Sequence, residues 1–306
     1  MPLDAGQVVD LGLPVVPASE AEVRDPLKDH RPERFGGQLQ PGLLRQLAAR
    51  EHGWVTTEII RWFVAKYQVN MSEASNSDIA SFRTFNDFFT RALKPGARPL
   101  AQADLICPVD GAISQFGVIE RDQIFQAKGH HYSTTALLGG DAALAMQYQN
   151  GSFATLYLSP KDYHRIHMPC DGRLTRMIHV PGDLFSVNPA TARGVPGLFA
   201  RNERVVCVFE SEHGPFVLVL VGATIVGSMA TVWHGVVNLS RGKTVREWHY
   251  PSPQGTPIDL CQGEEMGRFL LGSTVVMLFP EGPQHFNPAW TPGGSVRLGD
   301  LMASYA

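Results

Sequence analysis

Near the C-terminus a hydroxyl directly follows a glycine carbonyl, at Gly272-Ser273 within Gly267-Arg268-Phe269-Leu270-Leu271-Gly272-Ser273-Thr274-Val275-Val276. Apolar, β-prone residues stand on both sides. A serine so placed can attack its own preceding peptide bond, and glycine favours this because it has no side chain in the way. The product would be a cut chain whose Ser273 can become a pyruvoyl group, a cofactor made from the backbone. A Gly-Ser pair is equally a turn or a strand end, so the other reactive residues must be weighed with it.

Tyr163-His164-Arg165-Ile166-His167-Met168-Pro169 holds two histidines three residues apart. Such a pair suits general acid–base work or metal ligation. No third ligand stands at a recognisable spacing, so no metal is expected, and a structural or surface role stays open. Asp110-Gly111 puts a carboxylate at the edge of an apolar segment. It reads either as an Asp-Gly turn or as the orienting group of a nucleophile–base–orienter triad. Spacing alone does not bring Asp110, His167 and Ser273 together. Val180-Pro181-Gly182-Asp183-Leu184-Phe185-Ser186 is a turn that could carry the Ser186 hydroxyl into a pocket, and Lys128-Gly129-His130-His131-Tyr132-Ser133 is a polar, glycine-hinged run that says little by itself.

These residues need a scaffold. The chain has 306 residues, 44% hydrophobic and 18% charged, which is ordinary for a globular protein able to bury a large core. With 26 Lys and Arg against 29 Asp and Glu, the net charge of −3 gives no case for nucleic-acid binding. The 30 Gly and 22 Pro point to many turns. The four cysteines, Cys107, Cys170, Cys207 and Cys261, form no CxxC pair, so a reducing compartment is the simpler reading. No signal peptide is expected, and no stretch approaches the roughly 18 apolar residues of a spanning helix.

Residues 1–40 are rich in Pro, Gly and charge and read as a flexible extension. In residues 41–68, Leu43, Leu44 and Leu47 form an apolar stripe, Gly53 interrupts, and Val55, Ile59, Phe63 and Tyr67 then recur every four residues. Trp54, Trp62, Arg45, Arg50, Arg61 and Lys66 suit a helix lying in a membrane interface, or a helical pair packed on the core. A further helix is expected over 84–93, with Phe85, Phe88 and Phe89 inward. From about residue 104 strands dominate, with apolar runs at 153–158, 205–209, 216–221 and 274–279. The expected fold is α+β: a β-rich sandwich or barrel-like core with an N-terminal amphipathic helical flank.

Taken in order, several blocks resemble the bacterial phosphatidylserine decarboxylase proenzymes: YQVNMSEA from Tyr67, FRTFNDFFTRAL from Phe82, DGAISQ from Asp110, AKGHHYS from Ala127, LSPKDYHRIHMPC from Leu158, VPGDLFSVN from Val180, LFARNER from Leu198, VGATIVGS from Val221 and GEEMGRFLLGST from Gly263. The resemblance spans roughly residues 41–280. It implies self-cleavage between Gly272 and Ser273, with Asp110, His167 and Ser273 as the charge relay. It further implies a pyruvoyl cofactor on Ser273 that forms a Schiff base with phosphatidylserine, without PLP or metal. His164 would be the acid–base residue of decarboxylation, and Ser186, with His164, would meet the substrate. Residues 1–272 and 273–306 would form a heterodimer of large and small chains, itself a homo-oligomer, peripheral on the cytoplasmic face of the cell membrane. Residues 41–93 would be the docking segment and 94–306 the catalytic domain. A serine hydrolase is the nearest rival, although no GxSxG elbow is present. A non-catalytic lipid-binding module would explain the amphipathic segment but not a cleavable Gly-Ser bond.

Overall fold

In the computed structural model, residues 51, 53–223, 228–237, 243–252, 255–270 and 273–305 are described. The expectations for residues 1–40 and for the leucine stripe at 43–47 lie outside them. The long apolar runs become the middle of a nine-stranded antiparallel sheet. Its path is β12 (Arg246–His249), β7 (Gly172–Val180), β8 (Arg204–Ser211), β9 (Gly214–Val221), β15 (Ser273–Phe279), β5 (Ser152–Leu158), β2 (Gly111–Val118) and β17 (Ser295–Val296), with β13 (Asp259–Leu260) also on β7.

The central strands are mostly apolar at successive positions because both sheet faces are covered. Side chains alternate between faces along a strand. Val275, Met277 and Phe279 of β15 therefore join Leu218 and Leu220 of β9 in one core, while Val276 and Leu278 join Val217 and Val219 in another. The first core is closed by a four-stranded sheet of β11 (Gly235–Val236), β10 (Met229–Thr231), β14 (Glu265–Phe269) and β6 (Arg165–His167), through Ile166, Met229, Met266 and Phe269. A three-stranded sheet of β1 (Leu105–Ile106), β18 (Leu301–Tyr305) and β16 (Gln284–Phe286) adds Leu105 and Met302. The second core lies under the hairpin β3 (Gln123–Ala127) and β4 (His130–Ser133), whose tight turn takes Lys128 and Gly129 to positive φ, and under short helices. The fold is α+β as expected, and among the described residues no barrel closes.

The helical flank packs through its own aromatic cluster. Helix α1 (Trp54–Tyr67) buries Thr56, Ile60 and Phe63 against Phe88 and Phe89 of α2 (Phe85–Phe89). The buried stripe is set by Ile60 and Phe63, so Val55 and Ile59, expected to share the face of Phe63, lie outside it. Helix α2 is shorter than the expected 84–93. Thr84 and Asp87 form a capping box at its start, and the helix ends at Phe89, with Thr90 as its C-cap.

Candidate active site

Strand pairing assembles the reactive residues. Ser273 opens β15 opposite Leu158 of β5, and its side chain shares a face with Val275 and Met277, toward the four-stranded sheet. On the other side of β5, Ala112 of β2 pairs with Tyr157, which places Asp110-Gly111 beside Tyr157-Leu158. Asp110 and Ser273 thus flank the end of one strand, two inter-strand spacings or about 10 Å apart in backbone terms. Gly111 is obligatory for this approach, since a Cβ there would lie 2.4 Å from the Tyr157 carbonyl oxygen. The Asp110-Gly111 pair is therefore the entry to a strand rather than a simple turn.

The second sheet delivers two more groups. The Phe269 amide donates to the His164 carbonyl at 3.0 Å, and the Leu270 amide donates to the Ser228 carbonyl at 3.0 Å. Leu270 lies three residues before Ser273, so the chain can span no more than about 11 Å between them. Around this junction His164 Nε2, Ser228 Oγ, Ser273 Oγ and Thr274 Oγ1 are all buried without a hydrogen-bond partner. Buried polar atoms are usually paired, so unpaired ones on residues that strand pairing brings to one junction make it a candidate for chemistry. Gly272 itself lies outside the described residues.

The two histidines are held alike. His164 Nδ1 sits 2.8 Å from the Asp162 carbonyl and His167 Nδ1 sits 2.7 Å from the Gly263 carbonyl. A carbonyl only accepts, so both Nδ1 atoms carry the proton and both Nε2 atoms present a lone pair. The carbonyl that orients His164 is fixed by the Ser159-Pro160-Lys161-Asp162 turn, where the Ser159 amide and hydroxyl donate to Asp162 Oδ2 at 2.7 and 2.8 Å. The His164 ring lies 3.9 Å from that of Phe89. Burial pushes its pKa down to about 3 against the opposing Asp162 carbonyl, and the Arg91 charge pushes the same way. Burial also lowers the His167 pKa, while the Gly263 carbonyl and the charges of Glu265 and Asp110 oppose it.

The structure does not join Asp110, His167 and Ser273 by hydrogen bonds. His167 Nε2 faces the Tyr163 hydroxyl at 3.1 Å. Asp110 Oδ1 accepts from Arg98 Nε at 2.9 Å and from the Leu298 amide at 2.9 Å, and Arg98 Nη2 bridges Asp110 and Glu73. Asp110 acts on His167 through space instead. Ser186 is half-buried, and its Oγ accepts only a long 3.5 Å contact from the Asn188 amide. Its loop is nevertheless tied to the site. Buried Asn202 donates to the Phe185 and Gly222 carbonyls and accepts from the Phe185 amide, and Gly222 follows Val221, which pairs with Thr274. Sequence reasoning missed Arg98, Asn202 and Ser228. Ser228 lies in a recognised block, whereas nothing local distinguishes Arg98 from the other arginines.

An open cavity of about 320 Å³ borders Asp110. Its walls include Arg91, Arg98, Lys161, Asp162, Tyr163 and Arg297, together with Gln68 and Asn70, which follow α1 directly. No cluster of His, Cys, Asp and Glu able to hold a metal occurs among the described residues.

Comparison with known proteins accounts for this collection. The family described as Phosphatidylserine decarboxylase matches residues 85–304. A phosphatidylserine decarboxylase proenzyme of Polaromonas naphthalenivorans (strain CJ2) is 82% identical over 260 residues, covering 85% of this chain and 90% of that protein. Proenzymes of the same name from Variovorax paradoxus (strain S110) and Dechloromonas aromatica (strain RCB) are 77% and 69% identical, covering 85% and 86% of this chain and 91% and 93% of theirs. A match over most of the described fold, at such identity, makes the chain a decarboxylase: it belongs to the phosphatidylserine decarboxylase family.

Proposed function

We propose that the chain cuts itself between Gly272 and Ser273 and then decarboxylates phosphatidylserine at a membrane surface. The observation that carries this is the buried, unpartnered Ser273 Oγ at the start of β15, in a chain whose preceding residues Phe269 and Leu270 pair with His164 and Ser228. Ser273 Oγ forms a bond to the Gly272 carbonyl carbon as the amide C–N bond breaks, giving an ester. His167 Nε2 takes the hydroxyl proton once the Tyr163 hydroxyl gives way and returns it to the departing Ser273 nitrogen, and the Gly263 carbonyl keeps the ring in the tautomer that can accept it. The Asp110 charge favours the imidazolium that results. Elimination across Cα–Cβ of Ser273 then frees the 1–272 chain, and water converts the remaining dehydroalanine to a pyruvoyl group and ammonia.

The residues present fit that group, because the Ser273 hydroxyl is fully buried and unpaired. It would supply an electron-accepting carbonyl as CO₂ leaves, with no need for PLP or metal. His164 is neutral at physiological pH, since burial holds its pKa near 3. Its Nε2 lone pair can take a proton from the substrate ammonium and return it to carbon in place of CO₂. Ser186, on the loop stapled by Asn202, would contact the headgroup.

The substrate sits in a bilayer, and α1 suits that surface. Trp54, Val55, Ile59 and Trp62 are exposed beside the buried Ile60 and Phe63, and Lys66 lies 4.6 Å from the Trp62 ring centroid. No helix among the described residues is long and apolar enough to cross a membrane. The docking would be peripheral, on the cytoplasmic face. The two chains would remain one heterodimer because β15 of the small chain pairs on both sides with β5 and β9 of the large one.

Ser273→Ala tests the reading. The variant should stay a single chain and release no CO₂ from phosphatidylserine vesicles, whereas a Ser273→Ala protein that still releases CO₂ at the wild-type rate would contradict it.

A further inference from the structure

Arg91 is a buried cation with most of its donors unused. It is 5% exposed and lines the cavity beside Asp110. Its Nη2 donates to the Lys161 carbonyl at 3.2 Å, and its guanidinium carbon lies 5.4 Å from the Phe88 ring centroid. Nε and Nη1 have no hydrogen-bond partner, and together they carry three of the guanidinium's five N–H donors. The fold does satisfy a buried arginine elsewhere: Arg204 uses Nε, Nη1 and Nη2 on three main-chain carbonyls.

The acidic groups near Arg91 do not fill the gap. Asp110, Asp162 and Glu73 act on it through space, but each already accepts from other donors: Asp110 from Arg98 and Leu298, Asp162 from Ser159, and Glu73 from Arg98. A desolvated guanidinium short of acceptors is costly unless an anion completes it. Its wall of the cavity also holds Lys161 and Asp162, in the turn that orients His164.

Resting on the decarboxylase reading above, we infer that Arg91 is the residue that binds the phosphodiester of the lipid headgroup, its free N–H groups taking the non-bridging oxygens. The headgroup offers two anions, and the chemistry selects between them. An arginine on the carboxylate would stabilise the charge that must vanish as CO₂ leaves, and so would raise the barrier. The phosphodiester keeps its charge from substrate to product. Holding it lowers KM and leaves the chemical step alone.

The test is steady-state kinetics on detergent micelles containing phosphatidylserine, with phosphatidylethanolamine as a competing ligand that retains the phosphate and lacks the carboxylate. Arg91→Gln should self-cleave fully and raise KM roughly 10- to 100-fold, the loss expected for charge-assisted hydrogen bonds, with kcat within about threefold. The inhibition constant for phosphatidylethanolamine should rise by the same factor. Arg91→Lys keeps the charge but loses the fork, and its KM should rise roughly 3- to 10-fold; it carries the test if Arg91→Gln is insoluble. An unchanged KM in both variants, a raised KM with unchanged phosphatidylethanolamine inhibition, or a fall in kcat at constant KM would each overturn the assignment. A wild-type chain that stays uncut and releases no CO₂ would remove the reading beneath it. An active wild type beside Arg91 variants of normal KM would remove only the role of Arg91.

Discussion

Removing one indole from α1 should weaken membrane binding by an amount the exposure of that ring sets. Trp62 is 56% exposed on the stripe it shares with Val55 and Ile59. A whole tryptophan presents about 250 Å², so about 140 Å² of Trp62 is free to enter a lipid interface. At about 25 cal/mol per Å² the ceiling is about 3.5 kcal/mol. A ring lying at headgroup level transfers about half of that area out of water, which leaves about 1.5–2 kcal/mol, or roughly a 10- to 30-fold loss of partitioning for Trp62→Ala. Co-sedimentation with vesicles containing phosphatidylserine measures this directly. Met146 is 67% exposed on a short helix that packs on the second core rather than on the aromatic cluster of α1, and provides the control, so Met146→Gln should bind as wild type. Self-cleavage of Trp62→Ala should be complete, because the ring touches none of the groups around Ser273. Binding of Trp62→Ala within twofold of wild type, or an equal loss in Met146→Gln, would refute α1 as the docking element.

Other outcomes follow from the site. His164→Ala should cleave normally and lose decarboxylation, as read by chain mass and CO₂ release; an uncut His164→Ala protein would reverse the roles given to the two histidines. The folded-state pKa of His164, near 3, lies below its unfolded value, so the unfolded chain binds the extra proton between about pH 6.5 and 3. Stability should therefore fall as pH drops through that window, His167 adding in the same direction, and His164→Gln should flatten the thermal-melt profile there. Arg98→Met leaves Asp110 buried without its main partner and should cost about 3–5 kcal/mol in denaturant unfolding. Gly111→Ala forces a Cβ onto the Tyr157 carbonyl and should cost about 1–3 kcal/mol while slowing cleavage.

The large sheet was legible because its central strands are buried on both faces and so read as nearly continuous apolar runs. The second sheet was not, since β6, β10 and β11 run for only two or three residues and carry no period of their own. In α1 the four-residue spacing found the helix but misplaced its buried side. Ile60 and Phe63 face the core, and Val55 and Ile59 face out, because which side is buried depends on where α2 lies. Within the site, His164, Ser273 and Asp110 stood out by type and context. The surroundings of Asp110 and His167 could not, because Arg98 reaches Asp110 only through the fold and the group that orients His167 is the main-chain carbonyl of Gly263. A backbone atom leaves no trace in residue type.

The central claim is that the Gly272–Ser273 bond opens and leaves a pyruvoyl group. Intact mass of the purified protein under denaturing conditions tests it most directly. The account expects two chains split after Gly272, the smaller one lighter by one ammonia than a peptide beginning with serine. A single uncut chain, or a small chain with the full mass of an N-terminal serine, would contradict it.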